Sequence, residues 1–457
     1  MDIKARFATF SSRTTSNFLR KLGRGGTNLP GRIAKKIDFN ILTKLSKPVK
    51  IIIVTGTNGK TTTTKMIGQI LDDAGIKYFT NKSGANIQTG IIAAFAEHVG
   101  TRNKHGYTHA LIECDEAAFR QISTLIKADY AVVTNIFRDQ LDRFGEVSNT
   151  LAAIKTAIEN QPEAKLCLNA DCSLTSSVVT KKTKNPVLWF GTSGPLYKKT
   201  ARELSDAAYC INCQHPYKYH YHTFAHLGDF YCPHCGYKRE EPNIKLTKII
   251  KTDLESSSFK VKSDTDFELK LNLPGAYNIY NALAALALAR AMEIPDEVAK
   301  ASLEKTTASF GRTENVTIGE TPVKLLLVKN PAGYNQVINL VINSPQKAQA
   351  VFALNDRIAD GTDISWIWDV DFETLCREMG KNFQSIYLTG IRAADLAMRF
   401  EYAGFDMKKV TIVEDYDQLL DLITKSKLET FIFQTYTAMF EIRRKIAERV
   451  DLKEFYD

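Results

Sequence analysis

Long apolar runs are missing from this chain of 457 residues. None approaches the roughly 18 consecutive apolar residues of a membrane-spanning helix, so no such helix is expected. No secretory leader is visible; the first residues, rich in Arg, Ser and Thr, only loosely mimic a transit peptide. Low-complexity tracts are also absent. With 44% hydrophobic and 24% charged residues the composition is globular, and the length predicts two or three domains with real cores. Acidic residues are scarce at one end. Residues 1–50 hold 12 Lys or Arg against Asp2 and Asp38, a net of +10, so a chain total of +9 leaves −1 for the remainder. Such a basic end suits an anionic membrane surface or nucleic acid, or it simply solvates a helical face. Eight cysteines without a leader point to a reducing compartment rather than to disulfides. Cys114, Cys167, Cys172 and Cys376 are scattered, as small buried apolar residues are.

The chain is organised around Ile51 to Thr64, IIIVTGTNGKTTTT. Four β-branched apolar residues predict a buried strand, and Gly59-Lys60-Thr61 opens a helix after a turn of small residues. Strand, glycine turn and helix with Lys-Thr at its start form a phosphate cradle. Backbone N–H groups point at the anion, Lys60 supplies positive charge, and the Thr61 hydroxyl can reach Mg²⁺. The common phosphate loop has Gly five residues before its Gly-Lys pair; Val54 stands there, so this loop is shorter. Candidate ATP contacts are Thr57, Asn58, Gly59, Lys60, Thr61 and Thr62.

Strands and helices alternate along the first half: strands at 76–80, 109–113, 130–134 and 165–169, helices at 87–97 and 151–160. This pattern predicts a parallel sheet covered on both faces, with ligands at the strand C-terminal ends. Two short helices, 3–22 and 31–46, are expected before it. The alternation breaks near residue 200. There Cys210-x2-Cys213 and Cys232-x2-Cys235 stand 18 residues apart, the spacing of a four-cysteine zinc ribbon. Zn²⁺ replaces the core that so short a segment cannot build. His215 and His234 are nearby but not needed as ligands. Antiparallel strands are expected over 246–273, a helix over 279–292, and a second α/β alternation after Arg312, with strands near 323, 350, 385, 409 and 430. No convincing Cys–His pair for glutamine hydrolysis is visible; His109 near Cys114 reads as a structural strand histidine.

Together these stations resemble the Mur ligases and folylpolyglutamate synthases, ATP-dependent amide-forming ligases. The resemblance runs from about residue 50 to the C-terminus. It rests on Gly56 to Thr63, on Glu113 at the position of an Mg²⁺-binding glutamate, and on Thr134-Asn135 through Asp139-Gln140-Leu141-Asp142. It continues through Asn169-Ala170-Asp171, through Gly275-x-x-Asn278-x-x-Asn281 of the helix that contacts adenine, and through Gly311-Arg312. It implies a central ATP-binding domain over 46–313 with a ribbon inserted at about 206–240. A basic helical segment, 1–45, precedes it, and a Rossmann-like domain, 314–457, follows. It adds Asn278, Asn281 and Arg312 to the ATP contacts, and Thr61 with Glu113 as Mg²⁺ ligands. Gln140 departs from the family's histidine, Lys329-Asn330-Pro331 from its Asp-His-Asn-Pro, and Lys155 is one residue away from its carbamylated lysine. Only about fifty residues precede the phosphate loop, too few for the family's uridine-binding domain, so a substrate held by uridine is not expected.

The ribbon, with Asp360-Gly361-Thr362-Asp363 and Trp366-Ile367-Trp368-Asp369, is similar to the amidating members of that family. That resemblance implies ATP-driven conversion of the D-glutamate α-carboxylate of lipid II to an amide at the cytoplasmic face of the membrane. It also implies a heterodimer with a GatD-like glutamine amidotransferase subunit that releases ammonia. It makes Asp363 the carboxylate that completes the partner's Cys-His pair, with Asp356, Asp360 and Asp369 as rivals. Competing readings are a ligase that adds an amino acid without a partner, and a nucleic-acid-binding ATPase. The last ranks lowest, because the ribbon offers only Lys218, Lys238 and Arg239 to phosphates.

Overall fold

The computed structural model describes residues 2–452 apart from 22–27, 82–84, 101–102, 104, 139–146, 199–200, 202–205, 308–312 and 344–345. The chain builds two sheets and a hairpin. The first sheet takes β1 (Lys50–Thr55), β2 (Tyr78–Thr80), β3 (His109–Glu113), β4 (Tyr130–Val133), β5 (Lys165–Asn169) and β6 (Val187–Thr192). After the β7 (Lys218–Phe224) and β8 (Leu227–Tyr231) hairpin it adds β9 (Ile244–Thr252), β10 (Ser257–Lys262) and β11 (Asp266–Leu271). Their order across the sheet is β11-β10-β9-β6-β5-β4-β1-β3-β2. Pairing is parallel from β2 to β9, then antiparallel through β10 and β11. The β-branched run Ile51–Val54 is wholly buried because β1 lies mid-sheet with helices on both faces. Chain order reverses on the two sides of β1, with β3 on one and β4 on the other. Connections leave in opposite directions there and open a crevice at the strand C-terminal ends.

The second sheet follows the order β12-β13-β17-β14-β15-β16. Its strands are β12 (Thr313–Ile318), β13 (Thr321–Leu327), β14 (Ala348–Ala353), β15 (Phe383–Thr389), β16 (Val410–Ile412) and β17 (Thr430–Gln434). All pairs are parallel except β12 with β13. Hydrophobic clusters fill both faces of this sheet, one rich in phenylalanine. The order reverses between β14 and β17, and the segment after β14 carries Asp363.

Three sequence expectations change. The single helix over 31–46 is two, Asn28–Ile37 and Ile41–Ser46. Asp38 breaks it: its buried carboxylate accepts the Asn40 N–H and the Lys44 ammonium, turn chemistry that competes with helix. Strands β6 and β12 were not expected. Half of β6 is only partly buried, so its apolar signal is weak, and β12 forms a hairpin with β13 through Gly319 at φ +60°. Among the described residues no helix is long and apolar enough to cross a membrane.

Candidate active site

The loop between β1 and helix Lys60–Asp73 sits in the first crevice and is held open by backbone hydrogen bonds to the loop after β4. Thr57 N–H donates to the Asn135 carbonyl at 3.0 Å, and Asn58 N–H to the Asn135 side chain at 2.9 Å. Thr134 Oγ1 and Asn135 Nδ2 both donate to the Asn58 carbonyl. The two glycines are obligatory. Gly56 and Gly59 have φ of +119° and +86°; a Cβ would lie 2.4 Å from Thr134 Oγ1 at the first and 2.1 Å from Asn281 Oδ1 at the second. These bonds fix a loop whose helix-start N–H groups face the crevice.

Lys60 and the acidic end of β3 meet beside this loop. Lys60 Nζ donates to the Gly56 carbonyl at 2.5 Å and lies 3.4 Å from Glu116 Oε1. Thr61 Oγ1 donates to Glu113 Oε1 at 3.0 Å, and Glu113 is 6% exposed. A hydroxyl and a carboxylate oxygen side by side are the hard donors that Mg²⁺ takes, so this pair fits such an ion. Asn81 clamps Glu113 through both its backbone groups. Burial and the neighbouring Glu116 push the Asp115 carboxyl above its usual range. Asp115 also caps helix Glu116–Ile122, a structural task.

Helix Ala276–Ala291 brings Asn278 and Asn281 to the same place. Asn281 accepts from Thr63 Oγ1 and donates to Asn278 Oδ1. From the second sheet, Asn330 caps helix Pro331–Ile342, with Pro331 at its first position, and donates to Asn58 Oδ1 at 3.2 Å. Lys329-Asn330-Pro331 is thus a helix start aimed at the phosphate loop. Between these parts lies a cavity of about 130 Å³, lined by Asn58, Gly59, Thr62, Tyr277, Asn278, Asn281, Lys329 and Gln336 among others. Arg312 and the run Asp139 to Asp142, including Gln140, lie outside the described residues.

The ribbon does more than hold cysteines. The four thiols gather as the spacing predicts: Cys210–Cys235 Sγ atoms are 3.5 Å apart, Cys213–Cys232 3.4 Å, and all four lie within 4.8 Å of one another. Tetrahedral Zn–S bonds of about 2.3 Å place sulfurs about 3.8 Å apart, so the set fits Zn²⁺. His215 and His234 stack at 3.7 Å beside Cys213 and form a second, exposed donor group with it. At the other end of the hairpin, Phe224 and Leu227 line the cavity, Phe224 packing on Phe137 and Tyr280. Asp171 anchors this insertion. Its buried carboxylate accepts from Arg239 Nε at 2.6 Å, from Thr192 N–H and Oγ1, and from the Tyr280 hydroxyl.

Sequence reasoning missed a Cys–His pair. Cys172 Sγ is 3.4 Å from His226 Nε2, 54 positions away, with both residues fully buried. Burial pushes the thiol up, but His226 and the Thr175 N–H hold it below its ordinary value. Enclosed on all sides, it cannot meet glutamine. No local signal marks it, because folding of the insertion creates it.

The segment after β14 separates the four aspartates. Asp356 accepts from Arg392 Nε at 2.7 Å. Asp360 is buried and takes the Thr437 N–H and hydroxyl, tying the start of helix Tyr436–Ala447. Asp369 pairs with Arg138 of the first sheet's crevice. Asp363 is half-exposed, and among the described residues only the Ser365 N–H bonds its carboxylate, at 2.8 Å. Trp366 is half-buried against Tyr334, whereas Trp368 is 48% exposed.

Family models match two regions: the Mur ligase middle domain over residues 54–230 and 202–289, and the MurT ligase C-terminal domain over 327–439. A curated relative from Streptococcus pneumoniae (strain ATCC BAA-255 / R6), the MurT subunit of lipid II isoglutaminyl synthase (glutamine-hydrolyzing), is 37% identical over 98% of both chains. The subunit of the same name from Staphylococcus aureus (strain COL) is 32% identical over 92% of this chain and 90% of its own. Among solved structures, a pseudomurein peptide ligase type C from Methanothermus fervidus superposes with a TM-score of 0.67 at 22% identity, over 90% of this chain and 80% of that one. MurF from Thermotoga maritima in complex with ADP superposes with a TM-score of 0.62 at 16% identity, over 92% and 85%. At such identity the superpositions speak for the fold alone. The fold, the matching C-terminal family model and two relatives above 30% identity over almost the whole chain together place this protein in the MurT family of ligases.

Proposed function

We propose that this chain is the ATP-using subunit of a lipid II isoglutaminyl synthase, amidating the D-glutamate α-carboxylate with ammonia from a GatD-like glutaminase subunit. The observation that carries this reading is the phosphate loop opening onto a cavity shared by both sheets, its Asn58, Gly59 and Thr62 in the lining and Lys60 and the Thr61–Glu113 pair adjoining them in the same loop and helix start. A carboxylate is inert to ammonia until activated. In the proposed path a carboxylate oxygen attacks the γ-phosphorus of ATP, the β–γ bridge breaks and ADP leaves. Ammonia then adds to the acyl phosphate carbon, inorganic phosphate departs with that oxygen, and a proton is lost. This step needs charge neutralisation and in-line positioning more than covalent help.

Lys60 is assigned to the γ-phosphate, and the N–H groups from Thr57 to Thr62 to the phosphate chain. Thr61 and Glu113 would hold Mg²⁺, which neutralises charge on the phosphates when bound. Asn278 and Asn281 would face the base, together with Arg312. The zinc site on Cys210, Cys213, Cys232 and Cys235 is assigned a structural role, since four thiolates leave no open position.

Asp363 is assigned to the partner. Its three rivals are each engaged within this chain, while its own carboxylate is bound only by a turn N–H among the described residues. A carboxylate there can orient a partner histidine and fix its tautomer. The test is Asp363→Asn in the purified complex, with glutamine and ammonium salt compared side by side. Glutamine-driven amidation should fall by up to about four orders of magnitude, as when a triad loses its carboxylate, while ammonium-driven amidation persists. Equal loss of both would return Asp363 to the ligase site or the fold. Amidation or amino-acid addition at full rate without any second chain would overturn the subunit reading.

A further inference from the structure

Helix Ile3–Lys21 is turned inside out relative to an ordinary surface helix. Its inner face is small: Ala5, Ala8, Thr9 and Ser12 are buried against the neighbouring helices. Its outer face carries Ile3, Phe7, Phe10 and Phe18, which are 85%, 60%, 67% and 62% exposed. At about 100° per residue these four fall within roughly 80° of arc, one stripe along the helix with the exposed Thr14 between Phe10 and Phe18. Three exposed phenylalanines on one stripe are costly in water and mark a surface made to be covered. Exposed cations surround the stripe: Lys4 on one flank, Arg6 on the other, and Lys21 at its end. The first fifty residues carry the whole of the chain's positive excess.

We infer that this helix lies in the interfacial plane of an anionic lipid bilayer, its phenylalanines in the headgroup–acyl boundary and its cations on the lipid phosphates. Aromatic stripe and flanking Lys and Arg are complementary to that one surface in both hydrophobicity and charge. The helix is fastened firmly enough to carry the protein with it. Arg13 donates to the Ala96 and Glu97 carbonyls at 2.7 and 2.9 Å, capping the end of helix Gln88–His98. The first turn of that second helix lies beside the acidic end of β3, where the Asp115 N–H donates to the Asn86 carbonyl at 3.0 Å. Docking therefore joins the membrane, through helix Gln88–His98, to the loop after β3, the strand beside β1. The inference stands on the surface itself and goes beyond the amidation reading.

The test is sedimentation of the full chain with vesicles of phosphatidylcholine alone or mixed equally with phosphatidylglycerol. Wild type should bind the anionic vesicles at least about tenfold more tightly than the neutral ones, and lose that difference at high salt. Phe7→Ser/Phe10→Ser/Phe18→Ser should reduce binding to the anionic vesicles by about tenfold or more, with Tm and ATP turnover unchanged. Lys4→Glu/Arg6→Glu/Lys21→Glu should abolish the preference for anionic lipid. Equal binding to both vesicles, no binding to either, or full binding by the phenylalanine variant would overturn the inference. So would a wild-type dimer in light scattering that becomes monomeric with the same three substitutions, since a second copy would then be what covers the stripe. Vesicle binding needs no catalysis, so loss of amidation with intact binding would count against the proposed reaction and not against this surface.

Discussion

At the residue scale, the candidate site rests on a few atoms whose neighbours leave them one task. Lys60 is 11% exposed at its side chain and is held against the loop by the Gly56 carbonyl and Glu116. Its charge is thereby held beside the loop, where a bound phosphate would take over one of these contacts. Lys60→Ala should therefore lower kcat for ATP-dependent amidation by about a hundredfold, roughly 3 kcal/mol in the transition state, with the thermal transition little changed. Wild-type turnover would remove Lys60 from the site. This lysine was legible in the sequence because the whole cradle is contiguous, from the apolar strand to the helix start. Asp363 was singled out by the family resemblance alone, with three aspartates as rivals that no local pattern set aside. What separates them is the company the others keep, Arg392, Thr437 and Arg138, contacts between positions up to 231 apart that no local pattern announces. The buried Cys172–His226 pair was illegible for the same reason.

At the element scale, the ribbon is the informative part. Cysteine spacing announced its four-thiol end. Its other end, Phe224 to Leu227, was unannounced, because a short hairpin tip has no periodicity to read. Yet that end walls the cavity, and Arg239 locks the insertion to the buried Asp171. The ribbon's own core is only Cys210, Tyr217, Phe230 and Cys232, with three further side chains packed on it. So small a core needs a metal. Metal analysis should find one zinc per chain, and Cys→Ser at any ligand should lower stability by several kcal/mol. Because the hairpin tip lines the cavity, the same change should also weaken ATP binding. A zinc-free protein with the wild-type Tm would contradict this.

At the scale of the whole molecule, the two sheets meet across the cavity. Described contacts that bridge the two units include Arg138 with Asp369, Asn330 with Asn58, and the Ala201 N–H with Asn339 Oδ1. The alternation of strands and helices made two α/β units readable, but no sequence pattern fixes how they face each other. The Arg138–Asp369 pair is about two-thirds buried on each side, where an ion pair retains some of its strength against solvent. Asp369→Asn should raise the KM for ATP by about fivefold, about 1 kcal/mol, and leave kcat at saturation nearly unchanged, since it loosens closure without touching the reacting atoms. An unchanged KM would show that the pair does not hold the two sheets together over the nucleotide.

The central claim is that a carboxylate of the lipid-linked substrate is activated by phosphoryl transfer at this cavity. The direct measurement is oxygen transfer: substrate labelled with oxygen-18 in its D-glutamate α-carboxylate, ATP, ammonium salt and the purified complex, with the released phosphate read by mass spectrometry. One labelled oxygen should appear in inorganic phosphate for every amide formed, and with Lys60→Ala both should appear about a hundredfold more slowly, still in that ratio. Amide formation with unlabelled phosphate would contradict the account.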